Sequence, residues 1–479
     1  MSPDDVLTPV APAGKASDAH TPVTSALPPP QRGSSDRARG GRYFAVSVKY
    51  AISIAIGLTW TALSVLLSLR WLDALSGVVG SVLALVIITF IAYVPGFMNA
   101  FLVSTILLDR RPRRRTLATY PPVSILVACY NEQAAIADTI LSLARQDYPG
   151  PMEILILDDG SVDGTVARAQ DAISRLSLPG HSGIRVVSGF PNLGKSAALN
   201  RGLELCRHEI VLTIDGDSWV YADAVTHIVE RYLADPPQTR AVAGCVLARN
   251  SRKNWVTQMQ EWDYFHGIAA VKRMQSMYHG TLVAQGAFSL YDRAALRAVG
   301  GWPECVGEDI VVSWALLEKG YRIGYCEDAV AFTNVPDTLR QFARQRQRWS
   351  RGLLEAFKTH PRLLLKPRMS TLFVWWNVFF LPLDLVYTFA FLPGLLLALF
   401  GLFYIAGPMT LLVLPLAVLW NLVIFSVQRQ MFKRQDLSVR RNVKGFLLYV
   451  FVYTMILQPV CVWGYASELL GLRKRWGTK

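Results

Sequence analysis

Long uncharged apolar runs bracket a central stretch in which apolar residues fall in short clusters. Residues 51–69 are one run long enough to cross a bilayer as a helix. A second run, 75–108, exceeds one span. Arg70 to Asp73 predicts the turn between them, and Pro95 and Gly96 predict a tilt or kink. Apolar character returns after residue 372, with runs near 381–404, 408–427 and 445–466.

Between the runs, the period changes. Apolar, partly β-branched clusters at 123–129, 153–157, 184–187 and 210–214 read as strands. Helix patterns at 131–146, 165–176 and 195–206 alternate with them. This alternation predicts a parallel sheet with right-handed crossovers. Further strands are expected at 285–291, where Gly286 would let a ligand approach the backbone, and at 325–332. A helix should open at Gly307-Glu308-Asp309, and Val335-Pro336 breaks the pattern.

Residues 338–357 form an amphipathic helix pattern. Leu339, Phe342, Trp349, Leu353 and Phe357 share one side, with Arg340, Arg344, Arg346, Arg348 and Arg351 around the rest. Such a helix lies on an anionic membrane surface or faces a core with its basic side solvated. The chain therefore divides into a disordered tail (1–42), a membrane hairpin (43–108), an α/β domain (109–336), interface helices (337–371), a C-terminal membrane region (372–470) and a basic tail (471–479).

Composition agrees with a membrane protein carrying a sizeable soluble part. Of 479 residues, 52% are hydrophobic and only 18% charged, against about a quarter charged in soluble domains. The net charge of +14 does not point to nucleic acid, because the cations flank the apolar runs. Arg37, Arg39 and Arg42, residues 109–115, residues 428–444 and Arg473 to Arg475 sit where the positive-inside rule puts the cytoplasm. Five spans would leave the last basic cluster outside, so either the final run is re-entrant or the span count is off by one. The six cysteines show no CxxC pair or zinc spacing, which fits a reducing compartment.

The chemistry gathers at acidic turns after strands. Asp215 and Asp217 follow the 210–214 strand, and Asp158-Asp159-Gly160-Ser161 follows the 153–157 strand. Ligands of open α/β sheets bind beyond such strand ends. Paired carboxylates beside a diphosphate suit a hard divalent cation, Mg²⁺ or Mn²⁺. Ordinary solvated turns are the alternative.

Four signatures occur in order: DDGS (158–161), DGD (215–217), Glu308-Asp309, and Gln345-Arg-Gln-Arg-Trp349. The set, between a membrane hairpin and a membrane cluster, resembles the membrane-embedded processive family 2 glycosyltransferases. These include poly-N-acetylglucosamine, chitin, hyaluronan and cellulose synthases; the first are nearest in size and in the GEDIVVSW context. Gly307 departs from the Thr often found there.

The resemblance implies a GT-A (Rossmann-like) cytosolic domain inserted between transmembrane helices. It assigns Asp158 and Asp159 to the uridine, Asp215 and Asp217 to diphosphate and metal, and Asp309, beside Glu308, to the catalytic base. Gln345, Arg348 and Trp349 would lie at the acceptor and diphosphate end of the cleft. Lys195 would touch the diphosphate or simply start its helix in solvent. Trp349 offers a sugar-stacking face or a membrane-interface anchor, and Asp309 a base or a helix cap.

The implied activity is inverting, processive transfer from a UDP-hexose, with UDP-N-acetylglucosamine first and UDP-glucose next. The product would be an exopolysaccharide moved across the inner membrane. Single transfer to a lipid, as in ceramide-glucosyltransferase-like enzymes, shares these donor motifs. Implied partners are the donor, the growing polysaccharide, membrane lipids and a small membrane or periplasmic secretion protein, with no nucleic acid.

Overall fold

The computed structural model describes residues 7–9, 44–110, 116–176, 182–433, 437–439 and 441–473. Most of the expected N-terminal tail, its arginines, and the end of the basic C-terminal tail lie outside these. Residues 7–9 pair antiparallel with 437–439.

The α/β domain is built on eight strands: β1 (Val123–Cys129), β2 (Met152–Asp158), β3 (Gly183–Val187), β4 (Ile210–Asp215), β5 (Trp219–Val220), β6 (Thr239–Ala248), β7 (Phe288–Asp292) and β8 (Arg322–Thr333). Their order across the sheet is β3-β2-β1-β4-β7-β6-β8-β5. The first four are parallel, as expected. Beyond them the sheet is mixed, with β7 antiparallel to both β4 and β6.

Every residue of β1 and β2 is buried, as strands covered on both faces require. Alternate side chains go to opposite layers. Leu126 and Leu155 pack with Leu199 and Leu203 of the helix Lys195–Leu205. Ile125 and Ile154 pack with Ile136, Ile140 and Ile228 on the other face. Strand β6 and the helical run 255–277 are not evident from the sequence pattern. The β6 segment, TRAVAGCVLA, is buried nearly throughout, so no polar alternation marks it.

Among the described residues, four helices are long and apolar enough to cross a membrane: Val46–Val79, Ser81–Leu108, Thr371–Leu399 and Val443–Leu469. The expected 408–427 span falls in the helix Pro408–Lys433. The first turn is not at Arg70 to Asp73. The helix runs through them, because Leu75 extends its apolar side into a cluster with Ile87 and Ile88. It stops at Gly80, whose φ of +84° suits a residue without Cβ. A π-turn at Thr89–Tyr93 ends just before Val94-Pro95.

The helix Leu339–Thr359 is amphipathic, yet its basic side is not simply solvated. Arg340 and Arg344 are exposed. Arg346 and Arg351 are buried in ion pairs with Asp263 (2.8 Å) and Glu468 (3.3 Å). The helix packs along Val443–Leu469. Gln347 donates to Ser467 Oγ at 3.0 Å, and Lys358 reaches Glu468 at 2.9 Å.

Candidate functional site

Register brings the two acidic turns together. Asp158 pairs with Cys129, and Asp215 pairs with Ala128 on the other side of β1. Two strand spacings separate them, about 10 Å. The ladder continues past both ends, with Asp159 N donating to Cys129 O and Gly216 N to Ala128 O.

The DDGS turn is tied to the loop before Lys195. Both oxygens of Asp159 accept backbone N–H groups, from Leu193 (3.0 Å) and Gly194 (2.8 Å). Gly160 has φ +74°, and a Cβ there would lie 2.8 Å from Asn192 N; only glycine fits. Asp158 accepts from Ser161 N at 3.3 Å.

Lys195 then lies at the centre of the site rather than in solvent. Its Nζ is 2.5 Å from Asp215 Oδ1 and 3.6 Å from Glu308 Oε1. Burial lowers its proton affinity, but Asp215 and Glu308 more than offset this and hold it charged. Glu308 is buried, and desolvation pushes its carboxyl up to about 7, against the opposing pull of Lys195 and Arg348. Asp309 beside it is half-buried, with Oδ1 accepting from Ile310 N at 2.8 Å. Gly286 borders the Lys195–Asp215 pair: a Cβ there would collide with Lys195 Nζ and come within 3.9 Å of Asp215 Oδ1.

The Gln345-to-Trp349 segment joins from its own helix. Arg348 is within electrostatic reach of Glu308. Tyr264, buried in the 255–277 run, senses both Asp217 and Arg348. Gln345 Oε1 is buried without a hydrogen-bond partner. Trp349 is 40% exposed. The Arg346 guanidinium lies 3.9 Å from its ring centroid.

Asp217 Oδ1 accepts from Thr333 Oγ1 at 3.3 Å. Among the described residues no group of three or more His, Cys, Asp or Glu side chains is placed to hold a metal. Two hard carboxylates nevertheless suit Mg²⁺ or Mn²⁺ if phosphate oxygens complete the shell. Lys195 already covers one oxygen of Asp215.

Residues that the sequence did not single out complete the site. Glu355 Oε2 accepts from Gly307 N at 2.9 Å. Lys272, buried, donates to Val283 O beside the Gly286 loop. Burial brings Lys272 down to about 8, while Asp309 opposes the shift. No motif announces either residue.

A mixed sheet of this order, with acidic turns at the ends of the two parallel strands that flank β1, defines a GT-A-like fold. Over 81% of this chain and 99% of the other, the fold matches the mannosyltransferase PcManGT of Pyrobaculum calidifontis, with a TM-score of 0.57 and 20% identity. That structure holds GDP-Man and Mn²⁺.

Residues 121–352, just under half of the chain, match the family described as "Glycosyltransferase like family 2". Poly-beta-1,6-N-acetyl-D-glucosamine synthase of Staphylococcus epidermidis is 31% identical over 277 residues, covering 56% of this chain and 65% of that protein. The protein of the same name from Staphylococcus aureus strain COL is 31% identical over 274 residues, covering 55% and 64%. The matches thus span just under two thirds of these relatives.

Proposed function

We propose that this protein is an inverting, processive β-glycosyltransferase. It polymerises a UDP-activated hexose, UDP-N-acetylglucosamine first, and passes the product through its own membrane helices. One juxtaposition carries the reading: Lys195, Asp215 and Glu308-Asp309 meet the Arg348-Trp349 helix, and that helix is fastened to the helix Val443–Leu469. The similarity to poly-N-acetylglucosamine synthases favours the donor.

In this scheme Asp309 takes the proton of an acceptor hydroxyl as its oxygen attacks the anomeric carbon. The bond from that carbon to the diphosphate breaks, and UDP leaves with the electron pair. One displacement inverts the centre, so an α-linked donor gives a β-linkage. Asp215 and Asp217 would hold Mg²⁺ or Mn²⁺, which when bound supplies Lewis-acid neutralisation of the leaving diphosphate. Lys195 and Arg348 present fixed positive charge to the same group. Trp349 offers a flat face for the acceptor sugar.

Four helices among the described residues are long and apolar enough to span, and the helix Pro408–Lys433 carries a further apolar run. The basic flanks then put the catalytic domain in the cytoplasm of a multi-pass inner-membrane protein. A polar seam between two of these helices supports a path for sugar. Tyr465 donates to buried Asp384 at 2.9 Å, and Tyr387 and Thr454 lie 3.1 Å apart.

The test is UDP release by the purified full chain across common UDP-sugars, with product sizing. UDP-N-acetylglucosamine should give the fastest release and long chains. A single-sugar glycolipid would replace the polymer reading, and no release from any donor would remove the enzyme reading.

A further inference from the structure

A cavity away from the site above opens between the α/β domain and the segment that leads into the helix Thr371–Leu399. Its volume is about 590 Å³, within the usual range for a ligand site. It is lined by Glu318 and Lys319, at the end of the helix Glu308–Glu318, and by Val299. His360, Arg362 and Lys366 complete the lining.

The charges are arranged, not scattered. His360 Nδ1 pairs with Glu318 Oε2 at 2.6 Å, and Lys366 Nζ donates to Glu318 O. Glu318 is thus engaged by His360 and Lys366. Lys319, Arg362 and Lys366 then outweigh its one carboxylate. Lys319 and Arg362 are exposed at the mouth.

The apolar setting is the second observation. Leu365, between Arg362 and Lys366, is 84% exposed. Trp375, in the first turns of the helix Thr371–Leu399, is also exposed, and its Nε1 donates to Leu364 O at 3.1 Å. An exposed leucine among cations just before a spanning helix, and an exposed tryptophan in its first turns, mark headgroup depth.

We propose that this cleft binds the phosphodiester headgroup of an anionic phospholipid, whose acyl chains run along Leu365 and Trp375. Lys319 and Arg362 contact the phosphate. Basic pockets beside membrane helices take such headgroups. The bound lipid bridges the helix that carries Glu308 and Asp309 to the segment entering the membrane. The inference rests on reading 371–399 as a spanning helix.

The experiment is native mass spectrometry of the detergent-purified full chain, titrated with phosphatidylglycerol or phosphatidylcholine. Wild type should retain phosphatidylglycerol preferentially. Lys319→Gln with Arg362→Gln should weaken that binding about 30-fold, at about 1 kcal/mol per cation, and leave phosphatidylcholine unchanged. Arg175→Gln, on the far surface of the α/β domain, should change neither.

Equal retention of both lipids by wild type overturns the proposal, whatever the variants do. So does an unchanged preference in the double variant. Displacement of the lipid by millimolar inorganic phosphate would make free phosphate the ligand and also overturn it. Alkaline extraction of the protein from membranes tests the spanning reading separately.

Discussion

Gly307 and Gly352 meet backbone to backbone. A Cβ on Gly352 would lie 2.7 Å from Gly307 Cα, and one on Gly307 would lie 2.5 Å from Gly352 Cα. This contact sets the distance between the Glu308-Asp309 turn and the Arg348-Trp349 helix. A backbone neighbour cannot swing aside as a side chain can. Gly352→Ala must therefore push the helices apart, at about 1–3 kcal/mol of overpacking. An ångström-scale displacement at a reacting centre lowers turnover about 100-fold. We expect that loss in UDP release, with the variant still inserted and folded. Full turnover in Gly352→Ala would show that the helix spacing does not matter.

Glu355 completes the same junction. Its carboxylate accepts the Gly307 N–H at the start of the Glu308 helix, where an amide has no partner within its own helix. Glu355→Ala leaves that buried N–H unsatisfied, at about 1–3 kcal/mol. Glu355→Gln retains an acceptor oxygen. The alanine variant should lose turnover much more than donor affinity, and the glutamine variant should recover most of it. Equal losses in both would mean that Glu355 acts through its charge, not through the hydrogen bond.

The acidic turns, the Lys195 loop and the Trp349 helix were legible because each is a local pattern: a strand, then its turn chemistry. The parallel half of the sheet followed from alternation alone. What was not legible depends on distant contacts. Gly307 looked like a departure from the pattern of the synthases that the chain resembles until Gly352, 45 positions later, explained the small residue. For Lys195 the sequence left a diphosphate contact and a solvated helix start both open, because its burial comes from Asp215 and Glu308, on separate elements. Strand β6 hid because a fully buried strand carries no alternation. The hairpin turn was misplaced by seven residues or more because Arg70 and Asp73 tolerate an exposed helical position, whereas Gly80 has the backbone freedom to end the helix.

Gly286 offers the opposite contrast to Gly352. A Cβ there meets the Lys195 ammonium, the far end of a flexible side chain. Gly286→Ala should fold normally, so its melting temperature should match wild type. It should displace Lys195 from Asp215 and weaken diphosphate binding, seen as a raised KM. Lys195→Met goes further. It removes the cation that holds the Glu308 carboxyl down, so Glu308 should keep its proton to a pH above about 7. The acid limb of the pH profile for UDP release then moves upward. An unmoved limb would detach Glu308 from that limb.

Lys272 predicts a slope in stability rather than in rate. Burial has brought it down to about 8 from an ordinary 10.5. Below pH 8 it is charged in both the folded and unfolded chain, and the cost of burying that charge is fully present. Between about 8 and 10.5 the unfolded chain holds a proton that the folded chain has released. Unfolding then takes up a proton, so stability rises with pH across this window. Lys272→Met carries no proton in either state and should lack that rise. Melting temperatures of wild type and variant in the same detergent, from pH 7.5 to about 10, should therefore diverge as pH increases, with the wild type gaining. Parallel curves would mean that Lys272 keeps its proton in the fold, with a carboxylate near enough to hold it there, and Asp309 is the one within electrostatic reach.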